Sequence, residues 1–256
     1  MITVSAVSYL NTLPFIYGLQ QSRLIETIDL QLDYPSSCAV KLMNGEVDLA
    51  LVPIVVIPNL NNAHVISDFC IGANGAVQTV CLYSEVPINQ IESIILDYQS
   101  KTSVALLKIL LKEYWNLNPE LKNSQVGFEH RIRGKRAALV IGDRAFALNK
   151  RYTYIYDLAA IWKEMTNLPF VFAAWIANKR LPQDFIIEFN NSLKDGLDNI
   201  DQSLEQHRES HFLCQDPKYY LSNNISYFLD DKKLKAMDLF LKKYKKISCI
   251  EDDFRS

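Results

Sequence analysis

The chain has 256 residues, 49% hydrophobic and 22% charged, with a formal net charge of -2. That is a soluble globular composition, with room for one large core or two smaller ones. The slight acidic balance excludes a nucleic-acid footprint, which needs a basic excess on some face. No apolar run approaches the ~18 to 20 residues of a membrane span. No basic segment followed by an apolar stretch and a small-residue cleavage site opens the chain, so no signal peptide is expected. Five scattered cysteines, Cys38, Cys70, Cys81, Cys214 and Cys249, form no C-x-x-C pair. They read as reduced, mostly buried thiols of a cytoplasmic protein.

Residues 2–7, "ITVSAV", read as a buried strand of small and β-branched residues. The strand runs into Ser8-Tyr9-Leu10-Asn11-Thr12, and a helix follows at Leu13-Pro14. "IDLQLDYP" (28–35) is a strand, and "SSCAVKLMNGE" a short helix with Ser36 or Ser37 as N-cap and Gly45 as its stop. Strands are expected at 47–53, 77–84 and 91–97. A long amphipathic helix then starts in "YQSKTSV". Residues 136–143, "RAALVIGD", predict another strand, with a helix from about Asp143. "YDLAAIWKEMT" reads as a helix and "LPFVFAAWIAN" as a strand. Beyond Pro182 the chain is helical and charged. The basic "RIRGKR" (131–136) reads as a solvated hairpin or loop.

Strands alternating with helices predict an α/β fold with parallel sheets. No Gly/Ser tether divides the chain, so two lobes would be linked by ordered strands, with "TVCLYS" and "FVFAAW" as the candidate crossings.

Polar clusters recur where a strand ends and a helix begins: residues 8–12, Ser36-Ser37, residues 100–103 and Gly142-Asp143. In open α/β sheets ligands bind at that carboxyl-end crevice. Helix N-termini there favour carboxylate or phosphate, and Ser and Thr add donors without negative charge. Each cluster alone also reads as a helix cap, which needs only one polar residue. Ser8 to Thr12 supply four, and together the clusters predict a hydroxyl-lined site for a small anion.

The blocks "VSYLNTLPFIYGL", "SSCAVKLMNGEVDLALVP", "IGANGAVQTVCLYSEVPI", "LDYQSKTSVALLKILL", "AALVIGDRAFAL" and "YDLAAIWKEMTNLPFVFAAW" occur in order over residues 4–175. In this order they resemble the chorismate dehydratase family of the futalosine route to menaquinone. The resemblance implies a two-lobed type II periplasmic-binding-protein-like fold with an interlobe active-site cleft. It also implies no metal and no organic cofactor. The expected lobes are 1–83 with 174–256, and 84–173. The sister dihydroxynaphthoate synthase shares the fold, but its "SPCPND"-like opening is absent. Two departures stand out. Lys101 occupies a position where the family usually has Arg, which loses a bidentate fork. Ala73 replaces a common Ser.

The implied reaction removes water from chorismate to give 3-[(1-carboxyvinyl)oxy]benzoate. Aromatisation drives it, so binding and orientation supply much of the catalysis. No Ser-His-Asp set, H-E-x-x-H, Walker loop or G-x-G-x-x-G is present. Asn11 is the leading catalytic candidate, as hydrogen-bond partner of the departing hydroxyl. Asp143 is the second, with a helix-cap role equally open. Ser8, Tyr9, Thr12, Ser36, Ser37, Thr79, Ser84, Thr102, Ser103 and Trp175 are the candidate substrate contacts. Trp175 reads either as a wall for the ring or as a packing residue.

His207 and His211 sit four apart in "HRESH", which reads as a solvated helix face rather than a metal pair. The expected partner is a small-molecule substrate, with no nucleic acid and no membrane, and with a monomer and a homodimer both open. A transport binding protein would need a signal sequence, and a LysR-type sensor would need an N-terminal helix-turn-helix. A non-catalytic carboxylate binder shares the fold and stays as the alternative.

Overall fold

The computed structural model describes residues 1–208 and 213–253. In chain order the elements begin with β1 (Ile2–Val7), α1 (Leu13–Gln21), β2 (Ile28–Asp33), α2 (Pro35–Met43), β3 (Leu49–Pro53) and β4 (His64–Ala73). Next come β5 (Val80–Ser84), β6 (Ser93–Leu96), α3 (Lys101–Glu113), β7 (Glu120–Asn123), β8 (Arg136–Ile141), β9 (Tyr154–Asp157) and α4 (Leu158–Thr166). The last are β10 (Phe170–Ala177), α5 (Gln183–Asp198), α6 (Ile200–Gln206), α7 (Pro217–Tyr219), β11 (Ser226–Phe228) and α8 (Asp231–Asp253). No helix among the described residues is long and apolar enough to cross a membrane.

The chain divides into two compact units, Met1–Gly72 with Val171–Asp230, and Ala73–Phe170 with Asp231–Ser256. Each is built on one sheet. The first has the order β11-β4-β10-β3-β1-β2, the second β7-β6-β8-β5-β9. Both sheets are mixed, where alternating strands and helices had predicted parallel ones. β1 runs parallel to β2 and β3, but β10 is antiparallel to β3. β6 is parallel to β7 and β8, while β5 is antiparallel to β8 and β9. β5 and β10 each enter their sheet as the chain passes from the other unit, so no crossover helix ties their direction to that of the strands they pair with.

This division also corrects the expected lobes. The chain leaves the first unit at the end of β4, so "TVCLYS" lies wholly in the second. α8 belongs to the second unit and not the first. Its Phe240 packs edge-on against Phe170 (5.2 Å) and Trp162 (6.3 Å), and its Lys243 pairs with Glu113 of α3. In the sequence this tail shows only a helical, charged character, and its three-residue apolar spacing, Met237 to Phe240, does not say which unit it joins.

The first unit's core is aromatic: Phe15 of α1 contacts Trp175 (6.1 Å) and Tyr227 (5.2 Å), and Trp175 contacts Phe189 (5.1 Å). α1 and α5 approach at a glycine pair. A Cβ on Gly18 would lie 1.9 Å from the Ser192 carbonyl oxygen, and one on Gly196 1.8 Å from that of Pro14. α1 therefore runs through Gly18, and the contact fixes its position relative to the sheet. "RIRGKR" forms the expected hairpin, with Arg133 and Arg136 exchanging backbone hydrogen bonds (3.1 Å each) around Gly134.

Candidate functional site

In the first unit, β1 and β2 end side by side, with Val7 opposite Asp33. Ser8 donates both its N–H (2.9 Å) and its hydroxyl (3.3 Å) to the Asp33 carbonyl. Residues Leu10–Thr12 form one 3-10 turn before α1, in which the Thr12 N–H returns to the Tyr9 carbonyl at 2.9 Å. Proline in the first turn of α1 is tolerated because N–H groups there have no helical acceptor. Thr12 is the N-cap residue but makes no side-chain cap. Its buried hydroxyl donates instead to Asn11 Oδ1 (3.1 Å). That holds the amide oxygen and leaves Nδ2 with no hydrogen bond among the described residues. The Asn11 carbonyl accepts from the Tyr227 hydroxyl at 2.9 Å. Burial pushes the Tyr227 phenol well above its ordinary range, so it keeps the proton it donates here.

Ser36 and Ser37 are not caps. Pro35 starts α2 and Tyr34 is the N-cap, without a side-chain bond. Proline's fixed φ pre-sets the first helical residue, which moves the start one residue ahead of the serines. Both hydroxyls, half-buried in the first turn, make no hydrogen bond among the described residues. A network missed by sequence reasoning anchors this corner. Lys41 of α2 reaches both carboxylate oxygens of Asp33 (2.8 and 2.7 Å), and the buried Ser5 donates to Asp33 Oδ2 (2.8 Å). Cys38 lies behind it, its thiol pushed up to about 12 by burial.

Ser8, Tyr9, Asn11, Thr12, Ser36 and Ser37 thus gather at one end of the first sheet. Trp175 does not join them. It is fully buried in mid-strand, paired in register with Leu51 and packed on Phe15 and Phe189, so the packing alternative holds.

In the second unit, β6 and β8 end on the same side. Asp97, just beyond β6, is the pivot there. Its Oδ1 accepts the Gln99 N–H (2.9 Å), and its Oδ2 accepts the Ile141 N–H (2.9 Å) and Arg144 Nη2 (2.7 Å). Arg144 also binds Gln99 Oε1 (2.8 Å) and Glu129 (2.5 Å), and its guanidinium faces the Tyr98 and Phe128 rings at 5.4 and 5.6 Å. Burial drives the Asp97 carboxyl above the ordinary carboxylate range, and Arg144 and the N–H donors pull it back.

Ser100 caps α3: its hydroxyl accepts the Ser103 N–H (3.2 Å) and shares a proton with the Ser103 hydroxyl (3.0 Å). Thr102 is fully buried beside them and Lys101 is exposed. Asp143 is not a helix cap. The segment Gly142–Ala147 is 3-10, with Ile141 in the N-cap position, because Gly142 takes a left-handed φ of 69° that an α-helix cannot begin with. Asp143 itself is half-buried. Thr79 joins this end, since its carbonyl accepts the Gly142 N–H at 2.9 Å.

Ser84 is not brought to the group. It lies at the opposite end of β5, where its hydroxyl closes a turn with Val86 (2.8 and 3.1 Å). Asp157, which sequence reasoning missed, sits at the Thr79 end. Its Oδ1 caps α4 through the Ala159 and Ala160 N–H groups (3.0 and 3.1 Å), and its Oδ2 accepts the Gln78 N–H (2.7 Å). "YDLAA" carried that signal, an Asp immediately before an apolar helix.

Chemically, the first unit offers neutral donors: the Asn11 amide, the Ser36 and Ser37 hydroxyls and the first turn of α2. They suit carboxylate and hydroxyl recognition and supply no nucleophile–base pair. His207 is held by the Ser203 carbonyl (2.9 Å), and His211 lies outside the described residues.

The sequence pattern of a family described as menaquinone biosynthesis matches residues 2–246, nearly the whole chain. The chain belongs to the menaquinone-biosynthesis family. A curated relative, the chorismate dehydratase of Thermus thermophilus, is 29% identical over 184 residues, 64% of this chain and 67% of its own. The solved structure of protein AF1704 from Archaeoglobus fulgidus superposes with a TM-score of 0.75 at 13% identity, covering 97% of this chain and 98% of that one. A Candida albicans protein described as showing the generic periplasmic binding protein fold superposes with a TM-score of 0.62 at 10% identity, over 98% and 90% of the chains. This member of the menaquinone-biosynthesis family therefore has a periplasmic-binding-protein-like α/β fold, as the sequence blocks implied.

Proposed function

We propose that the protein is a chorismate dehydratase, a carbon–oxygen lyase that converts chorismate to 3-[(1-carboxyvinyl)oxy]benzoate and water in the cytoplasm. The observation that carries this reading is Asn11, its side-chain oxygen held by Thr12 and its backbone carbonyl by Tyr227, in a chain of the menaquinone-biosynthesis family.

In this reading Asn11 Nδ2 donates to the C4 hydroxyl as it departs with the electron pair of its C–O bond. The proton leaves C3, its bonding electrons complete the aromatic ring, and proton and hydroxide end as water. The substrate's own enolpyruvyl carboxylate accepts the C3 proton first, so no histidine base is required. A donor aimed at developing charge gives about 10²- to 10³-fold in kcat. Ser36 and Ser37 bind one carboxylate through neutral hydroxyls, with the first turn of α2 adding its dipole, while Ser8 holds the end of β1 on Asp33. Tyr9 flanks the ring. Thr79, Thr102, Ser103 and Asp143 stay candidate substrate contacts at the end of the second sheet.

The test is to incubate purified protein with chorismate, without added metal, and follow products by chromatography and proton NMR. A new aromatic compound with an intact enolpyruvyl ether, lost in Asn11→Ala, supports the reading. Chorismate that binds and emerges unchanged overturns it in favour of a carboxylate binder.

A further inference from the structure

We infer that Gln78 is a substrate-contacting residue whose side-chain amide donates to a carboxylate of the substrate. This rests on the chorismate reading. Gln78 has φ +65°, in the left-handed region. Residues with a Cβ pay for that conformation in steric contact with the following carbonyl, and Asn tolerates it best among them. The chain respects that rule elsewhere. Among the described residues, the other non-glycine positions with positive φ are Asn62, Asn116 and Asn167, and the remainder are glycines. Gln78 breaks the pattern.

Its strain is held in place on both sides. The Asp157 carboxylate takes its N–H at 2.7 Å, and Asn149 Nδ2 reaches its carbonyl at 3.4 Å. Asn149 is itself fixed by the Tyr83 hydroxyl (2.5 Å), and the next residue, Thr79, accepts the Gly142 N–H. Strain survives only where surrounding structure over-determines it, and such positions cluster at ligand clamps. None of these bonds uses the Gln78 side chain, which is exposed and makes no hydrogen bond among the described residues. Glycine or asparagine would satisfy the backbone at lower cost. What glutamine adds is reach: an amide one methylene further out than asparagine's. It extends from the end of the second sheet where Thr79, Ser103 and Asp143 gather.

Chorismate turnover by Gln78→Gly, Gln78→Asn and Gln78→Glu tests this, with thermal unfolding measured alongside. Removing a hydrogen bond to a charged group weakens binding by about tenfold. The expected result is KM raised about tenfold in Gln78→Gly and Gln78→Asn, and further in Gln78→Glu through charge repulsion, with kcat changed less than about threefold. Gln78→Gly and Gln78→Asn unfold at or above the wild-type temperature, because both relieve the backbone, so their KM change is not a folding defect. KM within twofold of wild type in all three variants overturns the inference while leaving the dehydratase reading intact. A wild-type protein that turns over no chorismate overturns both.

Discussion

The two units solve the same local problem, polar chain ends where strands meet helices, with opposite chemistry. At the end of β1 and β2 the gathered polar side chains, Ser8, Tyr9, Asn11, Thr12, Ser36 and Ser37, are neutral, and the Asp33–Lys41 ion pair anchors the corner beside them. At the end of β6, β8 and β9 the structure rests on carboxylates turned inward onto backbone N–H groups, Asp97 on Ile141 and Asp157 on Gln78. The first unit keeps donors free for a ligand, and the second consumes its charges in holding loops. Activity is therefore expected to be sensitive at the first unit's end, and stability at the second's.

The largest expected effect is on stability. Asp97→Ala takes one of its two carboxylate partners from Arg144 and the acceptor from the buried Ile141 N–H, at about 3 kcal/mol. Urea unfolding with a midpoint unchanged from wild type would show that the second unit does not depend on this carboxylate. On the other side of the comparison, Asn11→Ala should cost about 10² in kcat with little change in KM or unfolding temperature. Equal losses in kcat and binding would make Asn11 a binding residue. Tyr227→Phe removes one hydrogen bond behind Asn11, for about 1 kcal/mol in stability and a severalfold fall in kcat. Stability loss alone would mean that the turn holds without it.

The smallest effect is a pH dependence. Burial raises the folded-state pKa of Asp157 from the ordinary 3.8, outweighing its N–H donors. A raised carboxyl pKa favours folding below the unfolded value, and that contribution is lost as pH climbs from about 4 through the raised value. Asp157→Asn should therefore show less loss of stability than wild type across that rise. A pH profile identical to wild type would assign the slope to other groups.

Much of the first unit's end was legible in the sequence. Four polar residues between a strand and a proline-led helix are too many for a cap, and the structure does gather Ser8, Tyr9, Asn11 and Thr12 with Ser36 and Ser37. Tyr227 was not legible, since nothing in "NISYFLD" announces that a strand more than 200 residues away will meet Asn11. Ser84 and Thr79 looked alike in one strand, but a strand of five residues spans about 15 Å, which puts its ends in different surroundings. Asp143 and Gly142 read as a helix start because the αL backbone of Gly142 leaves no mark in composition. The antiparallel β10 was hidden for a similar reason: apolar periodicity reports burial and is blind to direction.

For anyone engineering this chain, the glycine contact between α1 and α5 reverses a standard rule. Replacing a helical glycine by alanine ordinarily raises stability by about 0.4–1 kcal/mol. At Gly18 or Gly196 the added methyl would strike a carbonyl oxygen of the facing helix, and that helix would have to retreat. α1 begins two residues after Asn11, so the retreat would be transmitted along a rigid rod to the amide. A thermostabilised variant assembled by rote would pay in turnover for a substitution on the far side of the helix.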